Sequence, residues 1–284
     1  ICDKIFIKNK YIKNSTKNIR KIFIEFSSEP SYEKLDKEMK NIKKIKNLDC
    51  IIGIGGGSTI DFSKGVALLY KNKGSALKFM GFPKNIKNPL PVIAIPTTTS
   101  TGSEVVFNAV FTHIKNKKKL GINSEKNYPI LSILDVNLIR SAPKKIIYQS
   151  AISSLLRSIE TFTSVDANYI TKMLSLNSFQ ILTKALKSKH HNYNFYNNLQ
   201  WGCILSILSL SNSSGGPCGA INYFLSVNYN ISQPLAYNFT SIEFIRKNIE
   251  KGYLGYSDLL EKTDKPNQKI LQTRKFFLLL KKIL

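Results

Sequence analysis

Residues 51–64 read IIGIGGGSTIDFSK: an uninterrupted apolar run, three consecutive glycines, then a Ser-Thr pair that opens a helix. A short β-branched run closed by glycine is the pattern of a strand buried on both faces of a parallel sheet. Gly55, Gly56 and Gly57 let the backbone come close to a ligand, and the free N–H groups of the next helix's first turn suit a phosphate oxygen. The stretch is expected to cradle a pyrophosphate; a tight strand-to-helix turn without a ligand is the alternative. Its spacing fits neither G-x-G-x-x-G nor the Walker loop, so neither fingerprint carries the expectation.

Strand and helix alternate on both sides of this stretch. Ile1 and Cys2, with Asp3 at the tip, read as the end of a strand, so the chain is expected to begin inside its first strand. KIFIEF (21–26) alternates as the next strand, residues 28–31 form a loop, and Tyr32 to Ile45 has helical spacing. Beyond the glycines, Asp61 to Tyr70 continues as a helix with Val66, Leu68 and Leu69 toward the sheet, and residues 71–88 form a polar connection. PVIAI (91–95) is a second buried strand, running into PTTTSTGSE (96–104). Hydroxyls this dense at a strand end can hold a phosphate or ribose in the crevice where α/β sheets bind ligands; an ordinary Ser/Thr turn is the alternative. Val105 to Thr112 and Lys119 to Ile122 suit a hairpin around residues 115–118, and Ile130 to Leu134 is a strand ending at Asp135. The alternation predicts a doubly wound α/β domain.

From Ala142 the pattern changes. Pro143 stands at a helix start, and Ile146, Ile147, Ala151, Leu155, Ile159 and Phe162 recur at helical spacing. Further helices are expected at 169–187, 199–211, 220–227 and 239–251. Two domains follow: an α/β dinucleotide-binding domain over 1–140 and an all-helical domain over 141–284. The apolar stretch within 271–284 needs a partner.

The 284 residues, 43% hydrophobic and 21% charged, are globular in composition and contain no apolar run of transmembrane length. No export signal is visible, and four scattered cysteines suit free thiols in a reducing cytoplasm. A net charge of +24 would raise nucleic-acid binding, but only five of the 42 basic residues are arginine and the lysines are spread throughout. A dedicated nucleic-acid role is therefore not expected.

GGGSTID at 55–61 and IPTTTSTGSE at 95–104 together resemble the paired signatures of the iron-containing alcohol dehydrogenase family, whose usual second motif has Gly where this chain has Ser100. KLGI at 119–122, Asp135, the 143–160 helix and YFL at 223–225 extend the resemblance over about 3–240. SEPSYEKLDK, IKNPLP and KKLGINS look most like the 3-deoxy-manno-octulosonate 8-oxidase branch. The resemblance implies an N-terminal dinucleotide-binding domain, a C-terminal helical domain and a metal in the cleft between them. Gly56, Gly57 and Ser58 would hold the pyrophosphate, Thr97 and Thr98 would border the cofactor, and Lys119 would face the nicotinamide ribose. Asp3 would accept from the adenosine ribose and favour NAD over NADP. An alcohol or sugar-acid substrate and a homodimer are the implied partners.

The family holds Fe²⁺ (or Zn²⁺) with one Asp and three His, and the corresponding positions here are Ser153, Arg157, Gly219 and Gln233. None is a normal ligand. The three histidines, His113, His190 and His191, stand elsewhere, the last two in a polar tract that reads as solvated loop. An arginine repels a divalent cation beside it. Either Arg157 stands in the metal's place as a catalytic group, binding a carboxylate or polarising an oxygen, or the chain is a decayed homologue that keeps at most nucleotide or partner binding. Glu160 and Tyr148 share the helix of Arg157, where core packing or a surface ion pair would account for them equally.

Overall fold

The computed structural model describes all residues except 17, 18, 27, 28, 100, 101 and 230. The chain divides into two compact units, Ile1–Ala142 and Pro143–Leu284. The first contains β1 (Cys2–Asp3), β2 (Phe23–Ile24), β3 (Ile51–Gly55), β4 (Val92–Pro96) and β7 (Leu131–Ser132) in one five-stranded sheet, ordered β2-β1-β3-β4-β7. Every pairing in it is parallel. β5 (Asn108–His113) and β6 (Lys118–Asn123) form a separate antiparallel hairpin.

The central pair is the longest. Five residues of β3 align with five of β4, ending at Gly55 opposite Pro96, so both strands stop at one level. Helix α3 (Gly57–Lys71) then folds back on β3. It comes close because β3 offers glycine where it lands: a Cβ on Gly53 would sit 2.6 Å from Ser63 Oγ, and one on Gly55 2.6 Å from Thr59 Cβ. Ile60, Phe62, Val66, Ala67, Leu68 and Leu69 of α3 are all buried, a wider burial than the three residues expected from sequence. Phe62, Val66 and Leu69 join a core with Tyr32 and Leu35 of α2 (Tyr32–Ile42) and Phe111 and Ile122 of the hairpin.

Several expected boundaries shift for local reasons. KIFIEF pairs only through Phe23 and Ile24, because β1 offers just Cys2 and Asp3 as partners. The strand expected at 130–134 shortens to β7, with Ile130 and Ile133 N–H groups bonded to Val92 and Ala94 carbonyls beside it. The hairpin starts three residues later than expected. The connection at 71–88 is more than polar: Ala76, Phe79 and Ile86 are buried, the first two in a 3-10 turn. Between β1 and β2 lies a short helix α1 (Lys10–Ser15), which no periodicity announced. Helix α4 (Val136–Ile139), capped by Asp135, closes the unit.

The second unit is all helix: α5 (Lys144–Phe162), α6 (Tyr169–Leu186), α7 (Tyr193–Ser211), α8 (Cys218–Tyr229), α9 (Gln233–Glu250) and α10 (Pro266–Ile283). Buried serines clip neighbouring helices together, Ser206 donating to the Ser154 carbonyl at 2.8 Å and Ser178 to that of Gly202 at 2.7 Å. α7 begins at Tyr193, earlier than expected, because Asn192 caps it through the Phe195 N–H. The apolar C-terminal stretch finds its partner: Phe276 of α10 stacks on Tyr256 at 5.2 Å and approaches Phe179 at 6.1 Å. Among the described residues no helix is long and apolar enough to cross a membrane.

The glycine contacts separate two kinds of glycine. Gly55→Ala forces α3 off β3 and is expected to destabilise the unit by about 1–3 kcal/mol in urea unfolding. Gly56→Ala meets Thr98 atoms only at 3.5–3.6 Å and should leave stability unchanged.

Candidate functional site

The C-terminal ends of β3 and β4 carry the two bends singled out in the sequence, and the register fixes them side by side. The Thr97 N–H donates to the Gly55 carbonyl at 2.9 Å. Thr98 lies over Gly56, whose backbone is extended at φ −72°, ψ −177°. Gly56 caps α3 with no side-chain hydrogen bond to the first turn. The leading N–H groups of that turn, from Gly57 and Ser58, thus face outward from the helix with the positive end of its dipole behind them. Gly56, Gly57, Ser58 and Thr98 are half-buried, whereas Thr97 and Thr99 are buried. Thr98 is therefore the most accessible of the three, and the Thr97 N–H is taken up by the Gly55 carbonyl. Ser100 and Thr101, within the same hydroxyl-rich stretch, lie outside the described residues.

Two of the three glycines have different reasons. Gly55 is there for Thr59, as above, and Gly56 keeps the space beside Thr98 open. Asp3 stands at the tip of β1, one residue beyond Cys2, which pairs with Ile54. The Asp3 carboxylate accepts from the Ile5 N–H at 3.1 Å and remains half-buried at the same end of the sheet.

Behind the two bends lies a buried charge cluster that sequence reasoning missed. Lys64, one turn beyond Asp61 on α3, is fully buried. Its Nζ donates to the carbonyls of Val106 at 2.7 Å and Asn108 at 2.8 Å and to Ser103 Oγ at 3.1 Å. Ser103 donates to Asp61 Oδ1, and the Val110 N–H to Asp61 Oδ2 at 3.0 Å. The chain that leaves the threonine bend is thus fastened to the helix that opens at the glycine bend. Burial pushes Lys64 down to about 8, against the pull of Asp61 and Glu104. Burial likewise raises the Asp61 carboxyl above its ordinary range, against Lys64 and Ser103. Lys119, expected at a ribose, has its side chain buried and ion-paired with Glu29. Its ammonium is lowered by burial, with Glu29 and Asp61 opposing. The signal available in sequence was a lone Asp-x-x-Lys on an otherwise apolar helix.

In the helical unit, Ser153 and Arg157 of α5 face α9. Ser153 Oγ lies 2.8 Å from Asn238 Oδ1, 2.9 Å from the Gln149 carbonyl and 3.3 Å from that of Pro234. The Arg157 guanidinium lies 5.8 Å from the Tyr237 ring centre. Gln233 opens α9, and no atom lies within 4 Å of where a Gly219 Cβ would be. A hydroxyl occupied by its own neighbours, a guanidinium, an amide and a glycine do not fit a divalent cation. Among the described residues no three His, Cys, Asp or Glu side chains come close enough to hold a metal. His191 instead meets Tyr148, its Nε2 2.8 Å from the hydroxyl.

A parallel α/β unit with a glycine-opened helix at its central strand, followed by an all-helical unit, defines the architecture of iron-containing alcohol dehydrogenases. Residues 1–136 match the family model described as iron-containing alcohol dehydrogenase, and this α/β half of the chain belongs to that family. The sulfoacetaldehyde reductase of Bilophila wadsworthia is 30% identical over 223 residues, 77% of this chain and 57% of that protein. The 1,3-propanediol dehydrogenase of Citrobacter freundii is 27% identical over 67% of this chain and 50% of its own length. The matched part of the chain thus spans about half the length of these relatives. A solved 1,3-propanediol oxidoreductase superposes with a TM-score of 0.87 at 20% identity, covering all of this chain and 77% of that one. A sulfoacetaldehyde reductase from Bifidobacterium kashiwanohense, solved in complex with NAD⁺, gives 0.81 at 22% identity, covering 98% and 77%.

Lys64→Met leaves Asp61 and two carbonyls without their cation and is expected to cost about 3–5 kcal/mol in urea unfolding. Between pH 8 and the ordinary lysine value of 10.5 the unfolded chain binds more protons at this group than the folded one, so its contribution to stability rises with pH. The stability advantage of wild type over Lys64→Met should therefore widen from pH 8 to pH 10; a constant difference would contradict the assignment.

Proposed function

We propose that the protein is an oxidoreductase that binds NAD across the two bends and transfers hydride between its nicotinamide and a small alcohol or aldehyde. The observation that carries this reading is the seating of Thr98 over Gly56, beside the unfilled first turn of α3. The N–H groups of Gly57 and Ser58 would hold the pyrophosphate, with the Thr98 hydroxyl bordering it. Asp3, at the neighbouring strand tip, would accept from the adenosine ribose diol and repel a 2′-phosphate, which favours NAD over NADP. Lys119, tied to Glu29, would act through its positive field on this side of the unit rather than by direct contact. NAD, when bound, supplies the hydride acceptor; the chain's own part is to bind and orient it.

The substrate class is supported by relatives named for small alcohols and aldehydes. Among them are 1,3-propanediol dehydrogenases, a 4-hydroxybutyrate dehydrogenase from Clostridium kluyveri and the sulfoacetaldehyde reductase. A sugar-acid alcohol, as the sequence likeness to the octulosonate oxidase branch suggests, is the finer form of the same proposal. The residues at Ser153 and Arg157 favour one rival, a homologue that binds the nucleotide without turnover, because they cannot supply a Lewis-acid metal to the reacting oxygen.

Calorimetry with NAD and NADP, paired with oxidation and reduction assays on propanediol and small aldehydes, tests both. NAD should bind at least about tenfold tighter than NADP, and Gly56→Val should abolish binding without lowering the unfolding midpoint. Absence of NAD binding would refute the proposal, and binding without turnover on any substrate would select the rival.

A further inference from the structure

Packing accounts for only half of the apolar stretch in α10. Thr273, Phe276 and Leu280 are buried, with Phe276 stacked on Tyr256 and close to Phe179. Recurring at three and four residues, these three mark one face of the helix. At about 100° per residue Leu271 and Leu278 fall on the opposite face, about two turns apart and one above the other. Leu271 is 50% exposed and Leu278 59%.

The cations of the helix are arranged about these leucines. Residues three and four on from a helical position lie to either side of it, so Arg274 and Lys275 flank Leu271, and Lys281 and Lys282 flank Leu278 in the same way. All four are exposed, and Lys281 Nζ stands 4.6 Å from the Phe277 ring centre. The helix itself contains no acidic residue. Glu261 meets it from outside, accepting from Gln272 Nε2 at 2.7 Å; Gln272 lies one turn before Phe276 and so away from the leucines.

A surface that complements this face is apolar along its middle and negative along both edges. A second copy of the face would set cation against cation. Nucleic-acid phosphates would meet the cations but leave both leucines against charge and water. The boundary of an anionic bilayer supplies both parts: acyl chains for the leucines, and headgroup phosphates for cations whose aliphatic stems lie along the apolar surface.

We propose that α10 docks the protein by this outward face on an anionic lipid surface, Leu271 and Leu278 entering the headgroup boundary and Arg274, Lys275, Lys281 and Lys282 resting on the phosphates. The contact is peripheral and reversible, because two leucines insert far less apolar surface than a spanning helix. It involves no residue of the two bends and is independent of the dinucleotide reading.

Co-sedimentation of the full chain tests it, with vesicles of phosphatidylcholine and of phosphatidylcholine and phosphatidylglycerol in equal parts, at constant ionic strength. A net charge of +24 by itself draws the chain to an anionic surface. The decisive variant is therefore Leu271→Gln/Leu278→Gln, which changes no charge and alters only exposed side chains. Wild type should bind the anionic vesicles at least about tenfold more tightly than the neutral ones, and the leucine variant should lose about tenfold of that binding. Lys275→Gln/Lys282→Gln should weaken it more than the charge-matched control Lys37→Gln/Lys40→Gln on α2, where both lysines are exposed. No binding to anionic vesicles, wild-type binding by the leucine variant, or an equal loss in the control would overturn the proposal. A wild-type dimer that the leucine variant makes monomeric would also overturn it, giving the face to a second copy. Duplex DNA binding weakened by Lys275→Gln/Lys282→Gln, with vesicle binding unchanged, would give the face to nucleic acid instead.

Discussion

The α/β unit depends on how closely α3 can approach β3. Gly53 and Gly55 remove the side chains that would hold the helix away, and Ser63 and Thr59 occupy the space. With the helix seated there, its first turn opens directly at the strand end. The paired register of β3 and β4 then delivers Thr97 and Thr98 to the same place. Neither bend is a site alone. Their adjacency follows from the parallel pairing and from glycine at the two contact points.

The same helix carries the charge that secures the far side of the threonine bend. A fully buried lysine is expensive in isolation, yet Lys64 faces three oxygen acceptors and the field of two carboxylates. It ties the segment at 103–108 to α3. Preorganisation of this kind would let a dinucleotide bind without further ordering cost. The many exposed lysines contribute little to such geometry, which is why a net charge of +24 says less about function than one lysine inside.

The central strands, the glycine-opened helix and the helical second half were legible because each carries an unbroken periodicity bounded by glycine or proline. β1, β2 and β7 were blurred because their pairing is limited by neighbours remote in sequence, as with KIFIEF against Cys2 and Asp3. The two bends at the ends of β3 and β4 were readable from residue type. Lys64 was not: a lysine looks like a solvated charge until tertiary packing places carbonyls around it. Nor does anything local reveal the pairing of Lys119 with Glu29.

In the helical unit, Ser153 is bound to Asn238 and Arg157 lies against Tyr237. The place proposed for the dinucleotide is the end of the α/β unit's sheet, at the two bends. An amide NMR titration with NAD locates it most directly. The N–H signals of Gly57, Ser58 and Thr98 should shift first and saturate together, and ADP should reproduce the shifts at 57 and 58. Shifts centred on the exposed lysines, or on α5 and α9 with residues 56–58 unmoved, would contradict it.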